Sequence, residues 1–209
     1  MPGEGDCGRI SNSGDVATRQ SILRGSDLPL IATARVKKPI SCLVAKGLSM
    51  IADAIRFILS NLPSILTLIA FCVVLAIHKR DHTGTRQLSW LLLLAVGIDG
   101  VWAGIFHVFF PAIASAQIGW SPSPFETEIG IADLAMGVVA ITAFWCSRGF
   151  KCAIALYAIL FYIGTAMGHI SQALTAGDFA PDNIGPLLIA TLLRTLLLIY
   201  LLNKIRRTG

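Results

Sequence analysis

Long stretches of almost uninterrupted apolar residues, divided by short polar turns, constrain this chain more than any other feature. They run from about Phe57 to Ile77, Leu88 to Phe110, Glu126 to Cys146, Cys152 to Leu174 and Leu187 to Leu202. They show neither the two-residue alternation of a half-buried strand nor the single apolar stripe of a surface helix. A soluble fold of this size has no interior able to hide such blocks. A bilayer is itself an apolar solvent, and it admits only structures that satisfy their own backbone polar groups. Each block approaches the roughly 20 residues a spanning helix needs. The sequence therefore predicts an all-α fold, a polytopic membrane bundle of about five transmembrane helices within residues 51–207. Composition agrees: of 209 residues, 55% are hydrophobic and only 14% charged, against roughly 25% charged in ordinary soluble domains. Mean hydropathy is +0.71.

The net charge of +5 does not point to nucleic acid, because the basic residues sit in an N-terminal tail and in short loops rather than on one face. Their distribution is a topology signal. Lys79, Arg80 and Arg86 follow the first block, Arg148 and Lys151 the third, and Lys204, Arg206 and Arg207 the fifth, whereas connections 111–125 and 175–186 contain no Lys or Arg. This alternation predicts a cytoplasmic C-terminus and places the Trp120 and Asn183 connections outside. An odd number of spans then puts the N-terminus outside, against the basic charge of residues 1–50. That tail is polar and lacks a sustained apolar period, and it is expected to be disordered or to precede the true start. Met50 offers an alternative start, preceded at a short distance by Lys46-Gly47, whose purine-rich codons resemble a ribosome-binding site. An interfacial helix over 40–56, or a sixth poor span over 40–58, is the competing expectation.

Ionisable residues within spans each need a reason. Asp99 and Arg194 fall halfway along the second and fifth spans, and equal depth with opposite charge predicts a midplane ion pair. A second set collects at the outer helix ends: His107, Glu126, Glu128, Asp133, His169 and, in the outer connection, Asn183. These form the candidate polar site. Imidazole and carboxylate together suit a divalent metal, with His107, Glu128 and His169 as ligand candidates, and equally suit acid–base chemistry. Glu126 and Asp133, seven residues apart, share nearly one helix face, whereas Glu128 does not share it with Asp133. No Glu-x-x-His pair of the di-iron bundles is present. Glu126 and Glu128 also suit a helix N-terminus without further function. Gly97, Gly100 and Gly104, with Gly130 and Gly137, form small-residue stripes, and Gly164 with Gly168 forms a Gly-x-x-x-Gly motif; all predict close helix packing. The five cysteines show no paired spacing of a zinc or redox site.

The run Phe106-His107-Val108-Phe109-Phe110-Pro111, followed by Gln117-Ile118-Gly119-Trp120 and Ser123-Pro124-Phe125-Glu126, resembles the signature of a small bacterial polytopic inner-membrane protein family of unknown function. So do Arg56-Phe57-Ile58-Leu59-Ser60-Asn61, Gly168-His169-Ile170 and the run from Asp178 to Pro186. The resemblance covers roughly residues 51–203 and implies a multi-pass protein of the bacterial plasma membrane with no assigned activity or cofactor. The chain departs from that pattern in its longer N-terminus and in span five, where Thr191-Leu192-Leu193-Arg194 stands in place of an expected acid.

Three function classes remain open. The first is small-molecule or ion binding of a transport type, centred on the outer polar layer above the midplane pair. The second is a membrane-embedded enzyme depending on a metal or a quinone. The third is a structural accessory subunit of a membrane complex. The expected partners are the lipid bilayer and a second copy or another membrane protein.

Overall fold

The computed structural model describes residues 40–208, and all regular structure among them is helical. The tail expected over residues 1–50 lies, up to residue 39, outside the described residues. The chain divides into two compact units, one ending at Arg56 and the other beginning at Phe57. In the first, helix α1 (Ile40–Ser60) begins and runs through Met50 without a break. Its side chains from Gly47 to Arg56 are exposed, and Asp53 and Arg56 pair at 3.9 Å along its surface.

The second unit carries the bundle. Its helices are α2 (Leu62–Ile77), α3 (Thr85–Leu91), α4 (Asp99–Phe109), α5 (Pro111–Ile118), α6 (Pro124–Thr142), α7 (Arg148–Ala176), α8 (Pro181–Ile184) and α9 (Pro186–Thr208). A π-helical turn, Leu92–Ile98, joins α3 to α4 into one rod. Four segments are long and apolar enough to cross a membrane: Thr85–Phe109, Pro124–Trp145, Arg148–Ala176 and Asp182–Thr208. A fifth arises if Gly47–Ser60 and Leu62–Ile77 count as one broken span. The architecture is thus an all-α bundle compatible with a multi-pass membrane protein.

In the first span, over 57–77, Pro63 predicts a mild kink; the structure has a full break instead. The chain breaks at Asn61, and Pro63 occupies the second position of α2. Proline lacks an N–H and its ring crowds the carbonyl four residues back, so a helix entering from upstream ends before it. Asn61 caps the broken end by donating its Nδ2–H to the Phe57 carbonyl at 2.8 Å. Elsewhere the breakers act as expected: Pro111, Pro124 and Pro186 begin helices and Gly177 (φ 67°) ends α7.

The core forms where the α3–α4 rod packs among α2, α6, α7 and α9. Leu88, Leu91, Leu92, Ala95 and Val96 on the rod are fully buried against Ala140, Ala155, Ala158, Leu198 and Leu201. Ala95, Ala140, Ala155 and Ala158 sit among these leucines, and small residues let helix backbones approach closely. The closest approach is α4 on α6. A Cβ on Gly137 would stand 2.6 Å from the Val101 nitrogen and 2.8 Å from the Gly97 carbonyl oxygen, and one on Gly100 would stand 3.0 Å from the Asp133 carbonyl oxygen. The stripe expected at Gly164 and Gly168 behaves differently. Nothing lies within 4 Å of a Cβ at either position, because α7 turns that face outward together with Leu160, Ile163 and Met167, all exposed.

At the end of the bundle that gathers the Lys and Arg residues, Asp81 organises the turn before α3. Its Oδ1 accepts from the Gly84 N–H at 2.9 Å and the Thr83 hydroxyl at 3.0 Å, and its Oδ2 from the Gln87 N–H at 2.7 Å. Lys204 of α9 donates to the Asp81 carbonyl and to Gln87 Oε1, both at 2.7 Å. Burial pushes the Asp81 carboxyl up, but these hydrogen bonds and the Lys204 charge outweigh it and hold the carboxyl below its usual range.

The glycine seam predicts unequal responses to one added methyl. Gly137→Ala should destabilise by about 1–3 kcal/mol, because it collides with backbone that cannot move aside. Gly164→Ala, with open space around it, should be neutral or stabilise by up to about 1 kcal/mol through helix propensity. Unfolding midpoints of the two variants in detergent check this; equal midpoints would remove the seam from the fold's determinants.

Candidate functional site

The centre of the bundle holds Arg194, 2% exposed, and Asp99, 5% exposed. Arg194 Nη1 donates to Asp99 Oδ2. The same nitrogen donates to the Ala95 carbonyl at 3.0 Å, and Nε reaches the Ala190 carbonyl at 3.4 Å. Tyr162 of α7 closes the arrangement: its ring lies 5.1 Å from the guanidinium carbon and its hydroxyl donates to the Ala95 carbonyl at 3.5 Å. The π turn explains why that carbonyl is available. The Asp99 N–H bonds to the Val96 carbonyl, so it does not compete with groups from other helices for the Ala95 oxygen. Asp99 Oδ1 is buried with no hydrogen-bond partner.

Asp133 belongs with this centre and not with the outer layer in which its position in the sequence suggested it. It lies about two turns below Glu126 on α6, is 7% exposed, and its turn packs on Gly100, next in sequence to Asp99. The glycine seam brings it there, since Gly100 packs its backbone on the Asp133 turn. Its carboxyl makes no hydrogen bond or ion pair with any described residue. Asp133 is thus a second buried carboxylate beside the helix turn that carries Asp99.

The remaining outer residues fall into two sets. In one, His107 Nδ1 lies 3.4 Å from Glu126 Oε1, close enough to pair but not aligned as a hydrogen bond. Ser115 of α5, itself buried, donates to Glu126 Oε2. In the other, Asn183 is fully buried and its Nδ2 donates to the Asp178 carbonyl at 2.7 Å and weakly to the His169 carbonyl at 3.5 Å. Those acceptors turn Asn183 Oδ1 toward His169 Nδ1, 2.6 Å away. An amide oxygen only accepts, so Nδ1 carries the proton and Nε2 is the open nitrogen. The Trp120 ring covers His169 at 5.6 Å between centroids. Gly119 (φ 79°) lets the Asp178 carboxylate approach; a Cβ there would lie 2.6 Å from its oxygen. The sets meet through α5, whose Ser115 carbonyl accepts the Trp120 N–H at 2.9 Å.

Glu128 is exposed, on a different face of α6 from Glu126 and Asp133. The metal set His107, Glu128 and His169 is not brought together. Among the described residues, no three or more His, Cys, Asp or Glu side chains are placed to hold a metal ion. Sequence reasoning missed Tyr162, Ser115 and the π turn. Ser115 and Tyr162 carry no local signal, and a π turn depends on partners from distant helices.

Residues 57–209 match a family model described as a family of unknown function, DUF6790. No curated protein and no solved structure matches the chain.

The central pair predicts a strongly non-additive mutant cycle. Arg194→Leu strands a carboxylate in the interior of the bundle and should cost about 3–5 kcal/mol. Adding Asp99→Leu should recover much of that loss. Denaturation of both single variants and the double in mixed micelles measures the coupling; a double variant no more stable than the worse single variant would show that the two side chains do not depend on each other.

Proposed function

The chain belongs to the DUF6790 family, which brings no assigned activity, and from its own geometry we propose that it is an ion-linked membrane protein of the transport type. In this reading Asp133 takes up and releases a proton during each cycle. One observation carries it: Asp99, Asp133 and Arg194 are buried together, and Asp133 has no partner of its own. With both carboxylates ionised the cluster is one positive charge short of neutrality. A net charge in a bilayer is expensive, and one proton removes it. Glu126 supports a route, because it shares a face of α6 with Asp133 and sits nearer the end of that helix, beside His107. The outer sets on His107 and His169 would then form the entrance to the central cluster.

The C-terminus faces the cytoplasm of a bacterial plasma membrane, and the Trp120 and Asn183 connections face outward, as the absence of Lys and Arg from both suggests.

Infrared titration tests the central claim. A carboxylic-acid band that responds to pH across the physiological range is expected in the natural chain and should vanish in Asp133→Asn. Proteoliposomes under an imposed potential should take up protons through the natural chain and not through Asp133→Asn, with Asp53→Asn, exposed on α1, unaltered. A band indifferent to Asp133→Asn, or uptake no faster than in protein-free vesicles, overturns the proposal. For orientation, Ser121→Cys and Asp182→Cys, made with the natural cysteines replaced, should react with an impermeant thiol reagent in intact cells; labelling only after lysis would reverse it.

A further inference from the structure

Between the C-terminal ends of α2 and α9 lies an open groove of about 790 Å³, lined among others by His78, Lys79, His82, Lys204 and Arg207. Such a volume suits a small polar ligand. Asp81 also lines it, but both its carboxylate oxygens are occupied within its own turn, and its charge is balanced by Lys204. Lys79 and Arg207 are exposed, and no acidic residue pairs with either among the described residues. Asp81 is the only acid in residues 78–90, 146–151 and 200–208, a region that holds Lys79, Arg80, Arg86, Arg148, Lys151, Lys204, Arg206 and Arg207. The groove thus offers two uncompensated cations, with Asn203, Thr208 and Tyr200 as neutral hydrogen-bonding groups.

We propose that this groove binds a phosphate-bearing anion, and that the phosphate is the headgroup of an anionic phospholipid. The chemistry follows from the donors: Arg and Lys on opposite elements can hold one phosphate between them, and basic pockets between spanning helices favour such headgroups. The surface leading to the groove favours the lipid as the source. Leu192, Leu196 and Tyr200 repeat every four residues along α9, all exposed, and Tyr200 itself lines the groove. An acyl chain attached to the phosphate would lie along that apolar row. The inference is independent of Asp133 and stands or falls separately from the transport reading.

The test is native mass spectrometry of the full chain in detergent, titrated with phosphatidylglycerol or with phosphatidylcholine of the same acyl chains. Phosphatidylglycerol should bind more tightly. Lys79→Gln combined with Arg207→Gln should weaken it roughly thirtyfold. Arg80→Gln combined with Arg206→Gln removes the same charge from adjacent positions that do not line the groove, and should leave binding nearly unchanged. Inorganic phosphate serves as competitor: failure to displace the lipid supports a headgroup site, whereas ready displacement supports a phosphate site whose occupant is a free anion. Equal affinity for the two lipids, or equal weakening by the two pairs of substitutions, overturns the proposal.

Discussion

Arg194 sets the terms on which this bundle can exist. A guanidinium halfway along an apolar helix costs about 3 kcal/mol on insertion scales, and more if left alone. Its demands are met from three directions. Asp99 supplies the opposite charge, Tyr162 a π face, and Ala95 a carbonyl that an ordinary α-helix would keep for itself. The rod over Thr85–Phe109 can offer both the carboxylate and the carbonyl because it passes through a π turn just before Asp99. The irregular backbone lies where a distant helix needs an acceptor. The contact ties α9 to the rod and to α7 at once, so the centre of the bundle is specified by polar groups while the surrounding side chains are apolar.

The glycine seam acts on the same centre from the other side. Gly100 directly follows Asp99, and its missing Cβ lets α4 settle against the turn of α6 that carries Asp133. Backbone approach and charge arrangement are therefore one feature. Had Gly100 or Gly137 been larger, α6 would stand further off and Asp133 would sit apart from the pair. The two carboxylates come together through packing that is itself indifferent to charge.

The helices were legible in the sequence because a bilayer demands continuous apolar runs, and a run is a local property. Their ends were less so: Asn61 breaks a run that is apolar on both sides of it, and α5 and α8 are too short to show a period. Asp99 and Arg194 could be related because depth along a span can be counted. Glu126 and Asp133 could be placed on one face by the same arithmetic, yet depth alone did not separate Asp133 from the outer layer; that depended on where Gly100 lets α4 approach. Gly164 and Gly168 form a packing motif by spacing, but α7 faces them outward, and spacing does not record orientation. The link from Lys204 to Asp81 and Gln87 joins residues more than a hundred positions apart, and no local pattern announces it.

Helix α7 is 29 residues long, about 43 Å at the usual rise, whereas the hydrocarbon core of a bilayer is about 30 Å thick. Its apolar stretch from about Cys152 to Leu174 is shorter than the helix, so the terminal turn that carries Arg148 and Lys151 can emerge from such a layer. Lys151 is anchored to the Cys146 carbonyl at one end of α7, and His169, beneath Trp120, sits toward the other. A tilt of α7 would move Tyr162 at the centre and His169 beside Asn183 together.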